Sequence, residues 1–291
     1  MLKVVDFTQK RNSASGCVML LGGFDGLHIG HKKLMETAKT YALPIGVMTI
    51  LGGKAGLPLF TAEERAEIFA REGADFMLEL PFAEIRELSP NAFLELLKEN
   101  FYPKVFVCGD DFRFGKDACG SAEILKTAGQ VCVETLCKLD GEKVSATAVK
   151  RFLTLGNVEK ANAFLGENYF LIGKVYKDRG VGKTLGFPTA NIAYPKDKYP
   201  IKKGVYETQV TIGKATYKGI TNYGHRPTFN ENEDCTETYL DGFSGDLYGK
   251  TLKVEFVRYL RDIQKFESAE DLKVQLQADI QSVRQGENYG N

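Results

Sequence analysis

The stretch "CVMLLGGFDGLHIGHKKLMETAKTYAL" (Cys17–Leu43) decides the fold of the first half of the chain. Its opening, "CVMLLGGF", is an apolar run of strand length, and "HKKLMETAKTYAL" carries the period of an amphipathic helix. Between them stand Gly22, Gly23, Gly26 and Gly30, with two of the chain's three histidines, His28 and His31. A strand that runs through glycines into a helix start leaves backbone N–H groups pointing outward, and the helix dipole adds to them as an anion site. A helix beginning near Leu27 sets His28 and His31 one turn apart on one face beside that site. Two imidazoles there could stabilise the charge of a polyphosphate in its transition state. The alternative is a pair of partly buried polar histidines near a turn. A metal site is not expected, because no third ligand lies nearby.

Outward from this stretch the alternation of strand and helix continues. "PIGVMTIL" is a second apolar run, and "TAEERAEIFAREG" opens with Thr61 and Glu64 in capping-box spacing and ends on Gly73. "SPNAFLELLKEN" offers Ser89 as N-cap with Pro90 at the first helical position, and "KVFVCG" (Lys104–Gly109) is a short buried strand. Such alternation predicts a parallel sheet with helices on both faces, an α/β Rossmann-like domain. Near Gly166 the texture changes. From Tyr169 to Tyr259 short alternating segments separated by turn residues predict an antiparallel β-barrel or sandwich. A final helix, "SAEDLKVQLQADIQSVRQG", aligns Leu272, Leu276, Ile280 and Val283, with Ser268 as N-cap and Gly286 as stop. The expected organisation is residues 1–155 as the first domain, 156–168 as a linker and 169–291 as the second domain.

Composition excludes several classes. Lys+Arg and Asp+Glu both number 38, and the split after Lys150 is 18 basic to 20 acidic before it and 20 to 18 after it. Neither half has the basic excess of a general nucleic-acid binder. Six cysteines form no CxxC pair, so buried free thiols are expected. Charges at Lys3, Asp6, Lys10 and Arg11 interrupt the apolar stretches a signal peptide would need, and no apolar run is long enough to cross a bilayer. No membrane partner is expected, and a reducing cytoplasm is the expected compartment.

"GGFDGLHIGH" (Gly22–His31) matches the GxFDGxHxGH signature of the nucleotidyltransferase superfamily. The resemblance implies that His28 and His31 contact a triphosphate and act in catalysis, with Gly22, Gly23, Phe24, Asp25 and Gly30 in the ATP site. "VCGDDFRFG" (Val107–Gly115) resembles the GxDFxFG motif of bacterial FAD synthetases, which implies that Asp111 and Phe112 bind flavin or nucleotide. "VSATAVK" (Val144–Lys150) resembles their ISSTxIR motif. There Ser145, Thr147 and Lys150 stand at a helix start where phosphates could bind. Ala146 replaces the family's second serine, Lys150 its arginine with Arg151 adjacent, and "MTILGGKAG" keeps only Thr49 of its TFxPHP segment.

In the second half, "GVGKTLGFPTANI" (Gly180–Ile192) resembles the riboflavin kinase signature. Gly180, Gly182 and Gly186 permit close backbone approach to phosphates, Lys183 stands where many members have arginine, and Pro188 belongs to the same ATP-binding string. Thr189 and Asn191 face one side of an extended strand, and an oxygen pair of this kind suits Mg²⁺. "CTETYLDGFSGDLYGK" resembles the kinase segment whose glutamate is the general base, which implies that role for Glu237. Arg226 and Arg261 are candidate ligand contacts or ordinary surface pairs, and His225 is given no role.

The resemblance runs along nearly the whole chain in family order and implies the bacterial bifunctional riboflavin kinase/FAD synthetase family. It implies small-molecule substrates: riboflavin and ATP converted to FMN, then FMN and ATP converted to FAD and pyrophosphate, with Mg²⁺ in both reactions. A single-activity enzyme and a non-catalytic flavin-binding regulator are the two alternatives. The sequence leaves the oligomeric state open.

Overall fold

The structure is a computed structural model that describes residues 2–6, 16–52, 56–135, 137–177, 187–225 and 234–286. Gly180, Gly182, Lys183, Gly186 and Arg226 lie outside the described residues. The chain divides into two compact units, Met1–Ala148 and Val149–Asn291.

The first unit is built on a six-stranded parallel sheet. Its strands are β1 (Lys3–Asp6), β2 (Cys17–Leu21), β3 (Ile45–Leu51), β4 (Phe76–Pro81), β5 (Pro103–Gly109) and β6 (Gln130–Glu134), in the order β1-β4-β3-β2-β5-β6. Helices α1 (Ile29–Lys39), α2 (Ala62–Arg71), α3 (Phe82–Ile85), α4 (Pro90–Phe101) and α5 (Ala122–Leu125) connect them, and a hairpin of β7 (Lys138–Leu139) and β8 (Glu142–Lys143) follows β6. All five residues of β2 are buried, which is why the strand reads as an unbroken apolar run. The chain leaves β2 toward β3 on one side and returns to β5 on the other. The carboxyl end of β2 is therefore the topological switch point, where an open α/β sheet forms its crevice.

Local chemistry sets the helix ends as expected. Thr61 and Glu64 complete the capping box of α2, the Ser89 hydroxyl accepts from the Ala92 amide at the start of α4, and Pro90 opens that helix. α1 starts at Ile29, two residues later than the expected Leu27, because the His28 ring itself is the cap.

α6 (Ala146–Leu155) crosses the division between the units, and α7 (Val158–Leu165) occupies most of the stretch expected to be a linker. Asn157 caps α7 at one end and Gly166, with φ of 70°, closes it at the other. Asn162 ties this helix to the second sheet: its Nδ2 donates to the Phe256 carbonyl at 2.8 Å, and its Oδ1 accepts from the Tyr169 amide at 2.7 Å.

The second unit is a curled antiparallel sheet of β9 (Tyr169–Lys174), β10 (Thr189–Ala193), β11 (Gly204–Ile212), β12 (Ala215–His225), β13 (Asp234–Leu240) and β14 (Thr251–Arg261). The order is β10-β13-β12-β11-β14-β9, and the Tyr176 amide donates to the Asn191 carbonyl at 3.0 Å, joining the first and last strands. Helix α8 (Ala269–Gln285) lays Ile280 and Val283 on Val205 and Ile220 of the sheet's outer face. Beneath it Arg258 Nε meets Glu207 Oε2 at 2.6 Å, both side chains 9% exposed. Among the described residues no helix is long and apolar enough to cross a membrane, and the six cysteines are free thiols.

Candidate functional sites

In the first unit a cavity of about 1050 Å³ opens at the carboxyl end of β2. That volume lies at the upper end of the range for small-molecule sites. Gly22, Gly23, Phe24, Asp25, His28, Gly30 and His31 all line it, as do Asp111, Phe112 and Ser145. A Cβ on Gly22 would sit 2.8 Å from the Phe24 ring, a clash that would force a shift, and one on Gly30 would sit 3.2 Å from His28 Nδ1, close enough to press on that ring. Phe24 holds φ at 37°, in the left-handed region. Its ring is buried and lies 4.2 Å from the His31 ring, which fixes that unusual backbone.

Hydrogen bonds define the tautomers of the two histidines. His28 Nδ1 accepts from the His31 amide at 3.2 Å, leaving its proton on Nε2. His31 Nδ1 donates to the Gly26 carbonyl at 2.9 Å, which leaves its Nε2 as an acceptor. The rings stack at 3.6 Å with 14° between their planes. Burial pushes His31 down to about 4; burial first, and then the neighbouring His31, hold His28 well below the usual imidazole range. Both rings are therefore neutral near pH 7.

Ser145 accepts from the Ala148 amide at 3.2 Å and so caps α6 at the cavity's edge. Thr147 is exposed. Lys150 is buried, with its ammonium 5.4 Å from the centre of the Tyr199 ring. Neither Thr147 nor Lys150 is among the residues lining the cavity. The inward face of α6 explains this: Val149, Phe152 and Leu153 are buried, and Lys150 falls on that face with them.

The sequence assigns no site role to Arg65, Arg113, Lys143, Phe93 or Phe114, all of which line the cavity. Lys143 Nζ meets Asp111 Oδ2 at 2.6 Å, and Phe112 stacks on Phe114 at 5.7 Å. A signal existed for Arg65. It stands three and four residues before Ile68 and Phe69, on the apolar stripe of α2, where a charge calls for a partner.

In the second unit the register of β10, β13 and β12 sets Asn191 opposite Glu237 and Glu237 opposite Asn222. Thr189 lies on the same face of β10 as Asn191, and its hydroxyl donates to Glu237 Oε1 at 2.9 Å. That bond engages the Thr189 proton and leaves oxygen lone pairs for another partner. Asn191 is 4% exposed, and its Oδ1 is buried with no hydrogen-bond partner. A buried carbonyl oxygen without a donor, beside a hydroxyl oxygen and a carboxylate, is a hard-oxygen set that fits Mg²⁺. Pro188 immediately precedes this strand. Asn222, in the same cross-strand row, was not anticipated, because the pairing of β12 with β13 has no local signal.

The geometry agrees with what similarity to known proteins reveals. A family model described as FAD synthetase matches residues 10–148, and one described as riboflavin kinase matches residues 165–286. A bifunctional riboflavin kinase/FMN adenylyltransferase of Escherichia coli K12 is 32% identical, with 93% of this chain and 92% of the relative covered. The chain belongs to the bifunctional riboflavin kinase/FMN adenylyltransferase family. A Haemophilus influenzae member is 31% identical, with 92% of this chain and 94% of the relative covered. A crystal structure described as a macrolide-efflux protein from Streptococcus pneumoniae shares the fold at a TM-score of 0.87 and 30% identity, covering 97% of this chain and 99% of that one. Kinase and adenylyltransferase domains together make this family member a transferase.

Proposed function

We propose that this chain carries out both reactions: riboflavin and ATP give FMN and ADP, and FMN and ATP give FAD and pyrophosphate. The observation that supports the reading is that each unit gathers its own set of groups suited to phosphate chemistry. One is the glycine turn with stacked histidines at the switch point of a parallel sheet, and the other is the Thr189–Glu237 pair beside Asn191.

In the kinase unit Glu237 is the general base. It accepts the proton of the riboflavin 5′-hydroxyl as that oxygen attacks the γ-phosphorus of ATP, and ADP leaves. Thr189 and Asn191 hold Mg²⁺, which supplies neutralisation of phosphate charge. Pro188 and the glycines at 180, 182 and 186, with Lys183, form the phosphate-binding string. In the adenylyltransferase unit no protein nucleophile is needed. An FMN phosphate oxygen attacks the α-phosphorus of ATP and pyrophosphate departs, so alignment and charge stabilisation do the catalysis. His28 presents its Nε2–H, and His31 lies stacked beneath it. Gly22, Gly23, Phe24, Asp25 and Gly30 shape the bed for the triphosphate, with Ser145 and Thr147 at the adjoining helix start. Asp111 and Phe112, with Phe93 and Phe114, receive the flavin. The compartment is the cytoplasm, in keeping with free thiols and nucleotide substrates.

Incubation with riboflavin and Mg-ATP followed by chromatography tests the reading. FMN and FAD are both expected. FMN without FAD would leave a kinase alone, and neither product would leave a flavin-binding protein.

A further inference from the structure

Arg65 lies in α2, away from every sequence motif of the adenylyltransferase site, yet it is 2% exposed and lines the cavity. Its Nη2 donates to Glu79 Oε1 on β4 at 3.1 Å, and its Nη1 donates to the Phe60 carbonyl at 3.1 Å. Phe60 in turn reaches the glycine–histidine turn twice. Its amide donates to the Asp25 carbonyl at 3.3 Å, and its ring packs so closely on Gly26 that a Cβ there would lie 3.0 Å away. The Gly26 carbonyl is the group that receives the proton of His31 Nδ1. A continuous path therefore runs from Glu79 through Arg65 and Phe60 to the peptide that sets the tautomer of His31.

We infer that Arg65 is a positioning residue for adenylyl transfer, holding the Asp25–Gly26 turn so that the two imidazoles meet the triphosphate in one geometry. This rests on the reading of that cavity as the ATP site. A purely structural role would leave the choice of arginine unexplained, because a buried ion pair is commonly matched by well-packed apolar residues. Arginine offers something those residues cannot: a planar fork that spans two acceptors at a fixed separation. One donor of the fork, Nε, is buried without a hydrogen-bond partner. Such a group is retained where a site requires the charge or receives a further partner. Lysine keeps the charge and can donate to these acceptors, but its single nitrogen lacks the rigid planar fork that holds both at once. Displacing reacting groups by about 1 Å costs on the order of 10²-fold in rate.

The test uses the full chain with Arg65→Lys and Arg65→Met, supplied with FMN and Mg-ATP. FAD formation should lose about 10-fold in kcat in Arg65→Lys and about 100-fold in Arg65→Met. KM for both substrates should stay within about twofold, since Arg65 touches neither substrate and only the alignment of the reacting groups is lost. FMN formation from riboflavin, measured on the same preparations, should be unchanged. Nitrogen-15 histidine spectra give a second readout, because the chain has only three histidines. The single Nδ1–H tautomer of His31 should become a mixture in both variants. If Arg65→Met does not fold, Arg65→Lys decides alone. Unchanged kcat in a folded variant overturns the inference, as does a parallel fall in both activities. So does a lowered kcat with the His31 tautomer intact. Absence of FAD formation by the wild-type chain would instead overturn the reading of the cavity and leave Arg65 without a reaction to serve.

Discussion

The two sites of this chain are encoded in different ways. The proposed adenylyltransferase turn is local: ten consecutive residues, Gly22–His31, bring two stacked imidazoles and the glycines beside them to one place through ring-to-backbone hydrogen bonds made inside the segment. The proposed kinase site is assembled by register. Thr189 and Asn191 meet Glu237 only because β10 and β13 pair antiparallel with Asn191 opposite Glu237, a residue 46 positions further along the chain (237 − 191). A local site keeps its own residues together whatever the strand register, although its turn is braced from outside through Phe60 and Arg65. A register site fails with any slip, because one residue of slip turns every side chain to the opposite face.

The largest expected effect lies in the chemistry of Glu237. Glu237→Gln keeps the shape of the side chain and an oxygen to accept from Thr189, but it cannot take the proton of the attacking hydroxyl. FMN formation should fall about 10³-fold, while conversion of supplied FMN to FAD continues at the wild-type rate. Discontinuous assays with each substrate alone read the two rates. Equal damage to both reactions would show that the sites are not separable as described.

The second prediction attacks the register itself from outside the site. Glu207 on β11 and Arg258 on β14 form a buried pair under α8, and Arg258 Nη2 also donates to the Ser282 carbonyl of that helix at 3.3 Å. Glu207→Ala removes the carboxylate and leaves the guanidinium buried, at a cost of about 3 kcal/mol to the second unit. Hydrogen exchange should quicken in β11 and β14, with exchange in β2 and β3 unchanged, and heating should extinguish FMN formation before FAD formation. Uniform acceleration of exchange in both sheets would break the proposed independence.

The same contrast between local and register encoding explains which features are legible in the amino-acid sequence. Caps and stops are legible at Thr61, Ser89, Ser268 and Gly286, because each depends on groups three or four residues apart. The histidine turn is legible for that reason too. The start of α1 lies two residues beyond its expected place, since a histidine as N-cap is outside the usual Ser/Thr/Asp/Asn set. Helix α7 is not legible although Asn157 and Gly166 bracket it; eight residues between two domain textures read as a joint. The spacing of Lys150 to Ser145 suggests a phosphate contact, but helical phase carries its side chain onto the buried face beside Tyr199. Arg65 and Asn222 are hidden for a different reason. Their places are set by residues far away in sequence, Glu79 bonded to Arg65 and Glu237 opposite Asn222 in register.

The smallest effect is a pH dependence that belongs to the local site alone. In the native chain burial holds His31 down to about 4, and holds His28 well below its usual value with help from the neighbouring ring. In the unfolded chain both imidazoles take up protons near 6.5. Between those limits the unfolded state binds more protons than the folded one, so the stability of the first unit rises with pH. The contribution is complete above pH 6.5 and is lost as pH falls toward 4. From pH 6.5 to 5.5 the loss is about 1 kcal/mol for His31, and the depressed His28 shifts stability in the same direction. Carboxylates stay ionised across that interval and add little of their own. Exchange in β3, corrected for the intrinsic pH dependence of amide exchange, should therefore report lower protection at pH 5.5 than at 6.5, and exchange in β11 should not. A flat profile in β3 would mean that the rings are already protonated or solvated in the native turn. That outcome would remove the neutral stacked pair from the account and, with it, the tautomer through which Arg65 is read to act.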